Sequence, residues 1–498
     1  MRGHNDDFLY DSSENPLLEF FSKAGSLFEK RGNYYDGASS ALELFKPAFT
    51  TDEFRAMKLA FWLRDCRGGS GNRSGFRSIV KWICERNPDW VIANIDLIPQ
   101  VGRWDDLISC FGTNAETAAV CCWARSVADK DGLACKWVPR INSKSSVLSK
   151  TVFSKLRKEL DMSPKDFRKF VSENTNVIET KMCSNEWSDI DYSKVPSVAM
   201  ARSNKAFSKH DAARFDQWKN SLGDPDSDTK VNASVLFPHD CIRTLMAEIG
   251  GGSYYYNRAG SQTESKLANA QFAALPNYLE GTDQRIMPIC DFSGSMSCKV
   301  AGEIKAIDVS LGLGLYCSDR VGEENPFYRM FIPFSNTSKL VSWRDQSFSI
   351  AAQAHNDGFC GSTNVKAALD QILQSAKMFN ATDEQIPNCL LILSDMQFDR
   401  GGVSGSNSTV VEQALQEWVD AGYSRPRIVY WNLAAYQGSP ATGAHQDVAM
   451  ISGFSPSTMS AVLGGTDFSP MAVLDRAIDK YEVTIPSDEL VEEVLETI

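Results

Sequence analysis

Residues 286–296 read IMPICDFSGSM. A short apolar run stops at Asp291 and gives way to a turn of serine and glycine. Such a run, with no polar alternation, is the pattern of a strand buried on both faces of a parallel sheet. The same texture recurs downstream. FYRMFIPF (327–334), CLLILSD (389–395) and RIVYWNL (427–433) read as strands. Residues 300–318 read as a helix with Ile304, Ile307, Leu311 and Leu315 on one face. Residues 364–378 read as a second helix, and VVEQALQEWVDAG as a third that ends at Gly422. Strands alternating with helices define a doubly wound α/β sheet, in which ligands gather at the carboxyl ends of the strands.

Three polar elements fall at such ends. Asp291, Ser293 and Ser295 form D-x-S-x-S directly after the first strand. Thr363 lies in the Gly361–Asn364 loop before a helix. Asp395 closes the next buried strand. Hydroxyl and carboxylate oxygens suit a hard divalent cation, Mg²⁺ first, with Mn²⁺ or Ca²⁺ as alternatives. Mainly neutral ligands leave the metal electrophilic, ready for a carboxylate from an acidic protein partner. A plainer reading has the serines capping a helix that starts near Ser297. Gly464-Gly465-Thr466-Asp467 resembles the Thr363 loop locally but follows Asp395 in the chain. Enzyme chemistries fail on single residues. Ser293 stands where a haloacid-dehalogenase phosphatase needs Asp. No G-x-S-x-G elbow and no P-loop lysine is present.

The 498 residues carry 51 basic and 63 acidic side chains, net −12. Residues 281–498 hold 14 basic and 27 acidic, whereas residues 1–280 hold 37 and 36, so the acidity belongs to the C-terminal part. That asymmetry divides the chain into a helical domain, 1–280, and an α/β domain, 281–498. In the first, Phe54, Met57, Phe61 and Trp62 mark one helix, and Phe76, Ile79, Val80 and Ile83 a second after a Gly68–Gly75 turn. Pro88 closes it and WVIANIDLI opens another, a rhythm that fits a helical-repeat array without a fixed period. Arg103-Trp104-Asp105-Asp106 reads as a helix start with its acids on the dipole. Residues 221–228 and 250–265 read as loops. Thirteen scattered cysteines without C-x-x-C, and five histidines, argue for reduced thiols and against zinc. The polar N-terminus is not a secretory signal, and no apolar run spans a bilayer, so the expected compartment is the cytoplasm.

Several phrases occur together: FWLRDCRGGSGNR (61–73), IPQVGRWDDL (98–107), CKWVP (135–139), VIETKMCSNEW (177–187), VPSVAMARSNKAFSKHDAARF (195–215) and NASVLFPHD (232–240). With DFSGSM behind them, the chain resembles the DUF2828 family nearly end to end. That family is similar in plan to Ro proteins, in which a helical-repeat (HEAT-like) TROVE domain precedes a von Willebrand factor A domain with a metal-ion-dependent adhesion site. The resemblance implies that D-x-S-x-S, Thr363 and Asp395 are that site. It also implies a ring of helices that holds small non-coding RNA.

The residues bear on RNA independently. Segment 136–218 is positive within an acidic protein. Lys136, Arg140, Lys150, Lys165, Arg168, Lys169, Lys205, Lys209 and His210 are candidate phosphate contacts, with Trp137, Phe167, Phe170 and Phe207 interleaved. Arg67, Arg73 and Arg77 flank a glycine-rich loop whose N–H groups suit a phosphate. Solvated lysines over core aromatics, and a plain turn between helices, give the same patterns. The sequence thus supports a non-enzymatic, Ro-like RNA scaffold that docks a protein through Mg²⁺. The alternative is a metal-dependent protein-interaction scaffold that never meets RNA.

Overall fold

The computed structural model describes residues 10–28, 37–175, 177–222, 224, 227–249, 263–334, 338–354, 364–398, 410–434 and 438–497. Among the described residues, every named element up to residue 273 is a helix. Helix α1 (Pro16–Lys23) starts behind Asn15, whose side chain accepts from the N–H groups of Leu17 and Leu18. Asp52 caps α2 (Glu53–Arg64) and Asn72 caps α3 (Arg73–Arg86) in the same way. The apolar positions that spacing assigned to these two helices are buried, apart from half-buried Phe54. WVIANIDLI departs from expectation. It forms two short helices, Asp89–Ile92 and Leu97–Val101. Asn94 between them spends its amide on the backbone of Thr484, giving and accepting at 2.8 Å. Most of the loop expected at 250–265 lies outside the described residues.

Helix α4 (Pro238–Glu248) precedes the α/β part. Its strands are β1 (Ile286–Asp291), β2 (Lys299–Ala301), β3 (Ile304–Lys305), β4 (Met330–Phe334), β5 (Val341–Ser342), β6 (Cys389–Ser394), β7 (Arg427–Asn432) and β8 (Val448–Ser452). Its main helices are α5 (Ala306–Arg320), α6 (Val365–Met378), α7 (Val410–Asp420) and α8 (Pro470–Ile478). The sheet order is β5-β4-β1-β6-β7-β8, parallel except for β5. Without the β2–β3 hairpin this is the doubly wound order, which reverses direction between β1 and β6.

Two expectations need correction. The helix placed at 300–318 begins only at Ala306. Residues 299–305 form the β2–β3 hairpin, which turns through Gly302 at φ +57°. The strand placed at 327–334 begins at Met330, because Arg329 sits at φ +52° and breaks extended geometry. β8 and β5 escaped the reading altogether.

Helical and α/β parts share one continuous core. Helix α1 lies on β8. The hydroxyl of Ser452 donates to the Phe21 carbonyl at 2.6 Å and accepts from the Gly25 N–H at 3.0 Å. Tyr481 donates to buried Asp65 at 2.9 Å, and Arg55 pairs with Asp475. A second, smaller core gathers Ile190, Tyr192, Phe207, Phe215 and Trp218. All twelve described cysteines are free thiols, and only Cys66, Cys183 and Cys298 escape burial. No helix among the described residues is long and apolar enough to cross a membrane.

Helix α4 crosses α5 where the latter carries Gly312. A Cβ at Gly312 would stand 2.8 Å from the His239 backbone nitrogen and 3.0 Å from the Pro238 carbonyl carbon. Neither backbone atom can swing aside. Gly312→Ala should therefore cost about 1–3 kcal/mol, the usual range for overpacking. Chemical denaturation of the full chain checks this; an unchanged midpoint contradicts such close packing of α4 on α5.

Candidate metal centre and basic surface

Parallel pairing sets the centre. Cys290 lies opposite Leu393, so the next residues, Asp291 and Ser394, face each other at the carboxyl ends of β1 and β6. The Ser394 hydroxyl donates to Asp291 Oδ2 at 2.6 Å and accepts from the Met396 N–H at 3.0 Å. Asp291 Oδ1 accepts the Ser293 N–H at 2.8 Å. The Ser293 and Ser295 hydroxyls lie 3.1 Å apart. Asp395 Oδ1 accepts the Gln397 N–H at 3.2 Å. Both carboxylates are fully buried. Burial, and then the neighbouring charge of Asp395, pushes the Asp291 carboxyl up to about 7.

Asp291, Ser293, Ser295 and Asp395 thus come together at the topological switch point. Thr363 lies outside the described residues. Residues 294–297 make one 3₁₀ turn, so no long helix begins near Ser297 for the serines to cap. Gly464–Asp467 is a turn between the helix Thr458–Leu463 and α8. Its Asp467 carboxylate accepts the Ser469 N–H at 2.9 Å, a local capping role. Among the described residues no three His, Cys, Asp or Glu side chains converge, as a zinc-type centre would require. Two carboxylates and two hydroxyls form instead a hard-donor set. The charge of Asp395 acts on Asp291 across this set.

The basic candidates divide between the two cores. Lys150 sits on the helix Val147–Glu159, and Lys165, Arg168 and Lys169 on Pro164–Glu173, all exposed. These helices pack on the main core through a Phe153–Phe167 edge contact. Lys136 pairs with Glu179 at 3.3 Å, Lys169 with Glu173 at 3.8 Å, and Arg140 is exposed. Lys205, Lys209 and His210 lie exposed on the helix Ser197–His210, over the second core. The aromatic platforms need correction. Phe167 and Phe207 are fully buried, so they belong to the cores and offer no ring face to a base. Trp137 is covered by the Arg103 guanidinium, 4.0 Å from its centroid. Half-buried Trp187, which the residue reading passed over, stacks on His210 at 4.7 Å and 7°. An isolated Trp between polar residues carries no periodic signal that would single it out.

Arg67 and Arg73 are exposed. Arg77 is committed inward. Its Nε donates to Asp106 Oδ1 at 2.6 Å, and its Nη2 lies 2.9 Å from Asp105. Asp106, expected to serve the helix dipole, is fully buried. It opens the 3₁₀ helix Trp104–Cys110 by accepting the Arg103 N–H at 2.9 Å, and it takes the Nε of buried Arg64 at 2.7 Å.

Against this geometry stand the comparisons with known proteins. The fold and its centre define a two-part protein in which helices precede a doubly wound sheet. The family model DUF2828, a domain of unknown function, matches residues 3–117 and 117–281, more than half of the chain, and the chain belongs to that family. A second model, the domain of unknown function DUF7788, matches residues 285–489. The uncharacterized protein L728 of Acanthamoeba polyphaga mimivirus is 23% identical over 529 residues, covering 96% of this chain and 87% of that one. The crystal structure of the Deinococcus radiodurans Ro (RSR) protein aligns at 13% identity with a TM-score of 0.39, covering 94% of this chain and all of that one.

Asp106 pairs with two guanidinium groups, one on each oxygen. Asp106→Ala leaves Arg64 buried without its carboxylate, which should cost about 3–5 kcal/mol. Asp106→Asn keeps the size and loses the charge, and should fall between wild type and Ala. Urea unfolding of the three proteins measures the order.

Proposed function

We propose that this chain is a non-enzymatic scaffold whose sheet edge holds a divalent cation for docking a protein partner. The observation that carries the reading is the buried Asp291–Asp395 pair, flanked by the Ser293 and Ser295 hydroxyls at the switch point. Asp291, Ser293, Ser295 and Asp395 would hold Mg²⁺, directly or through water, with Thr363 completing the set. Bound there, the cation supplies an open coordination position for a partner's carboxylate. Ser394 orients Asp291, and the Gln397 N–H fixes Asp395. The D-x-S-x-S order and the doubly wound topology fit a von Willebrand factor A-like domain with a metal-ion-dependent adhesion site. The ligands are mainly neutral and no general base adjoins them in sequence, which favours docking over turnover.

Wild type should gain thermal midpoint with Mg²⁺, and Asp291→Ala should abolish that gain. Differential scanning fluorimetry in Mg²⁺ and in EDTA reads it. If wild type and variant respond alike, these residues are not the ligands.

For the helical part we infer RNA binding in the manner the Ro resemblance implies, on a helical-repeat surface. Exposed Lys150, Lys165, Arg168, Lys169, Lys205 and Lys209 support it, as does the stacked Trp187–His210 pair. The −13 balance of residues 281–498 repels phosphate and leaves the helices as the contact face. Affinity for small structured RNA should fall with salt at a slope near −0.7 per single-strand phosphate contact. Reversing Lys165, Arg168 and Lys169 to Glu should remove most of it, while Asp291→Ala leaves it unchanged. Filter binding at two salt concentrations measures both. No binding at low salt favours the scaffold that docks proteins alone, a reading already favoured by the burial of Phe167 and Phe207.

A further inference from the structure

The arginine network around Asp106 holds more positive charge than its own carboxylates neutralise. Arg64 and Arg77 reach the two oxygens of Asp106, while Arg77 and Arg103 share Asp105 Oδ2, each at 2.9 Å. Arg73, at the start of α3, is close enough for its charge to act on Arg103. Three guanidinium groups contact the two carboxylates, and with the charge of neighbouring Arg73 the cluster carries an excess of two positive charges.

The donors are also underused. A guanidinium has five N–H groups in a fixed fork. Arg64 is almost wholly buried, and among the described residues it donates from Nε alone. Arg103 Nε is buried without a hydrogen-bond partner. Arg73 is exposed and makes no hydrogen bond or ion pair among the described residues. Burial depresses the Arg103 guanidinium, the Asp105 carboxylate opposes that, and the charges of Arg73 and Arg64 deepen it. The Arg103 guanidinium meanwhile lies over the Trp137 ring, 4.0 Å from its centroid. Gly102 borders the cluster, where a Cβ would press to 3.0 Å from Arg64 Nε.

A self-sufficient structural ion network balances its charge and spends its buried donors. This one does neither. We propose that Arg64, Arg73, Arg77 and Arg103 form a site for a phosphate dianion, either inorganic phosphate or the terminal phosphate of a phosphomonoester. A terminal phosphate carries close to two negative charges at neutral pH, whereas an internal phosphodiester carries one, so the excess of two selects the former. Arginine forks pair with its oxygens in bidentate geometry. The site does not depend on the RNA reading. Phosphate binding without RNA affinity leaves it standing.

Isothermal titration of the full chain tests this with three probes: inorganic phosphate, a nucleoside 5′-monophosphate, and a short RNA with hydroxyl ends. Phosphate and the monophosphate should bind and raise the thermal midpoint, and should do so equally with Asp291→Ala. Arg73→Gln removes a side chain that supports nothing in the fold. It should weaken phosphate binding roughly tenfold, the scale of one hydrogen bond to a charged group. Asp105→Asn raises the excess to three charges and should tighten phosphate binding even as it lowers stability. A purely structural network predicts no such gain. No binding of phosphate by folded wild type, or Arg73→Gln and Asp105→Asn both binding like wild type, overturns the site. Hydroxyl-ended RNA competing for it as well as the monophosphate overturns the selection for a dianion.

Discussion

The register between β1 and β6 governs the chemistry of this molecule. Because Cys290 pairs with Leu393, Asp291 arrives opposite Ser394 and close enough to Asp395 to feel its charge, with both carboxylates buried. A slip of one residue would turn Asp291 to the other face of the sheet. Continuous apolar strands resist that slip, since both faces are buried and every side chain of β1 and β6 already fills the core. Two buried like charges are a standing cost to the fold, offset in part by the Ser394 hydroxyl and the Ser293 N–H. Proteins retain such pairs where something else uses the field they create.

The helices supply the frame that makes this tolerable. Helix α1 is far from β8 in sequence, yet Ser452 bonds both it and the turn that follows it, and Phe28 stacks on Phe454 at 4.8 Å. The segment after α8 crosses in the other direction, with Thr484 paired to Asn94 and Tyr481 to Asp65. These contacts tie both ends of the chain across the boundary between helices and sheet. The charge asymmetry in the sequence therefore divides surfaces rather than cores: a neutral helical face with local basic patches is welded to an acidic α/β face.

Much of this was legible in the sequence, and the limits have physical causes. β1, β6 and β7 were plain because a strand buried on both faces leaves an unbroken apolar run. The edge was not. β5 has two residues, and β8 reads VAMIS, too short and too poor in β-branched residues to outweigh its surroundings. The β2–β3 hairpin was hidden because Val300, Ile304 and Ile307 happen to fall near helical spacing. Asp291, Ser293, Ser295 and Asp395 were found because their motif is local and ordered. The Arg64–Asp106 pair spans 42 residues and shows no pattern along the chain. Its meeting is decided only by how α2 packs against the 3₁₀ helix Trp104–Cys110.

The two polar clusters show the same principle with opposite signs. At the carboxyl ends of β1 and β6, two carboxylates are buried side by side, and the complement proposed for them is a cation. Among the helices, three guanidinium groups contact two carboxylates and Arg73 adds its charge, leaving an excess of positive charge whose proposed complement is an anion. The Asp106 core of the second cluster is structural, because each of its oxygens receives an arginine inside the protein. The uncompensated part lies at exposed Arg73 and half-buried Arg103. In both places the fold has fixed polar groups that it does not itself fully use, and the sign of the remaining charge states what each would take.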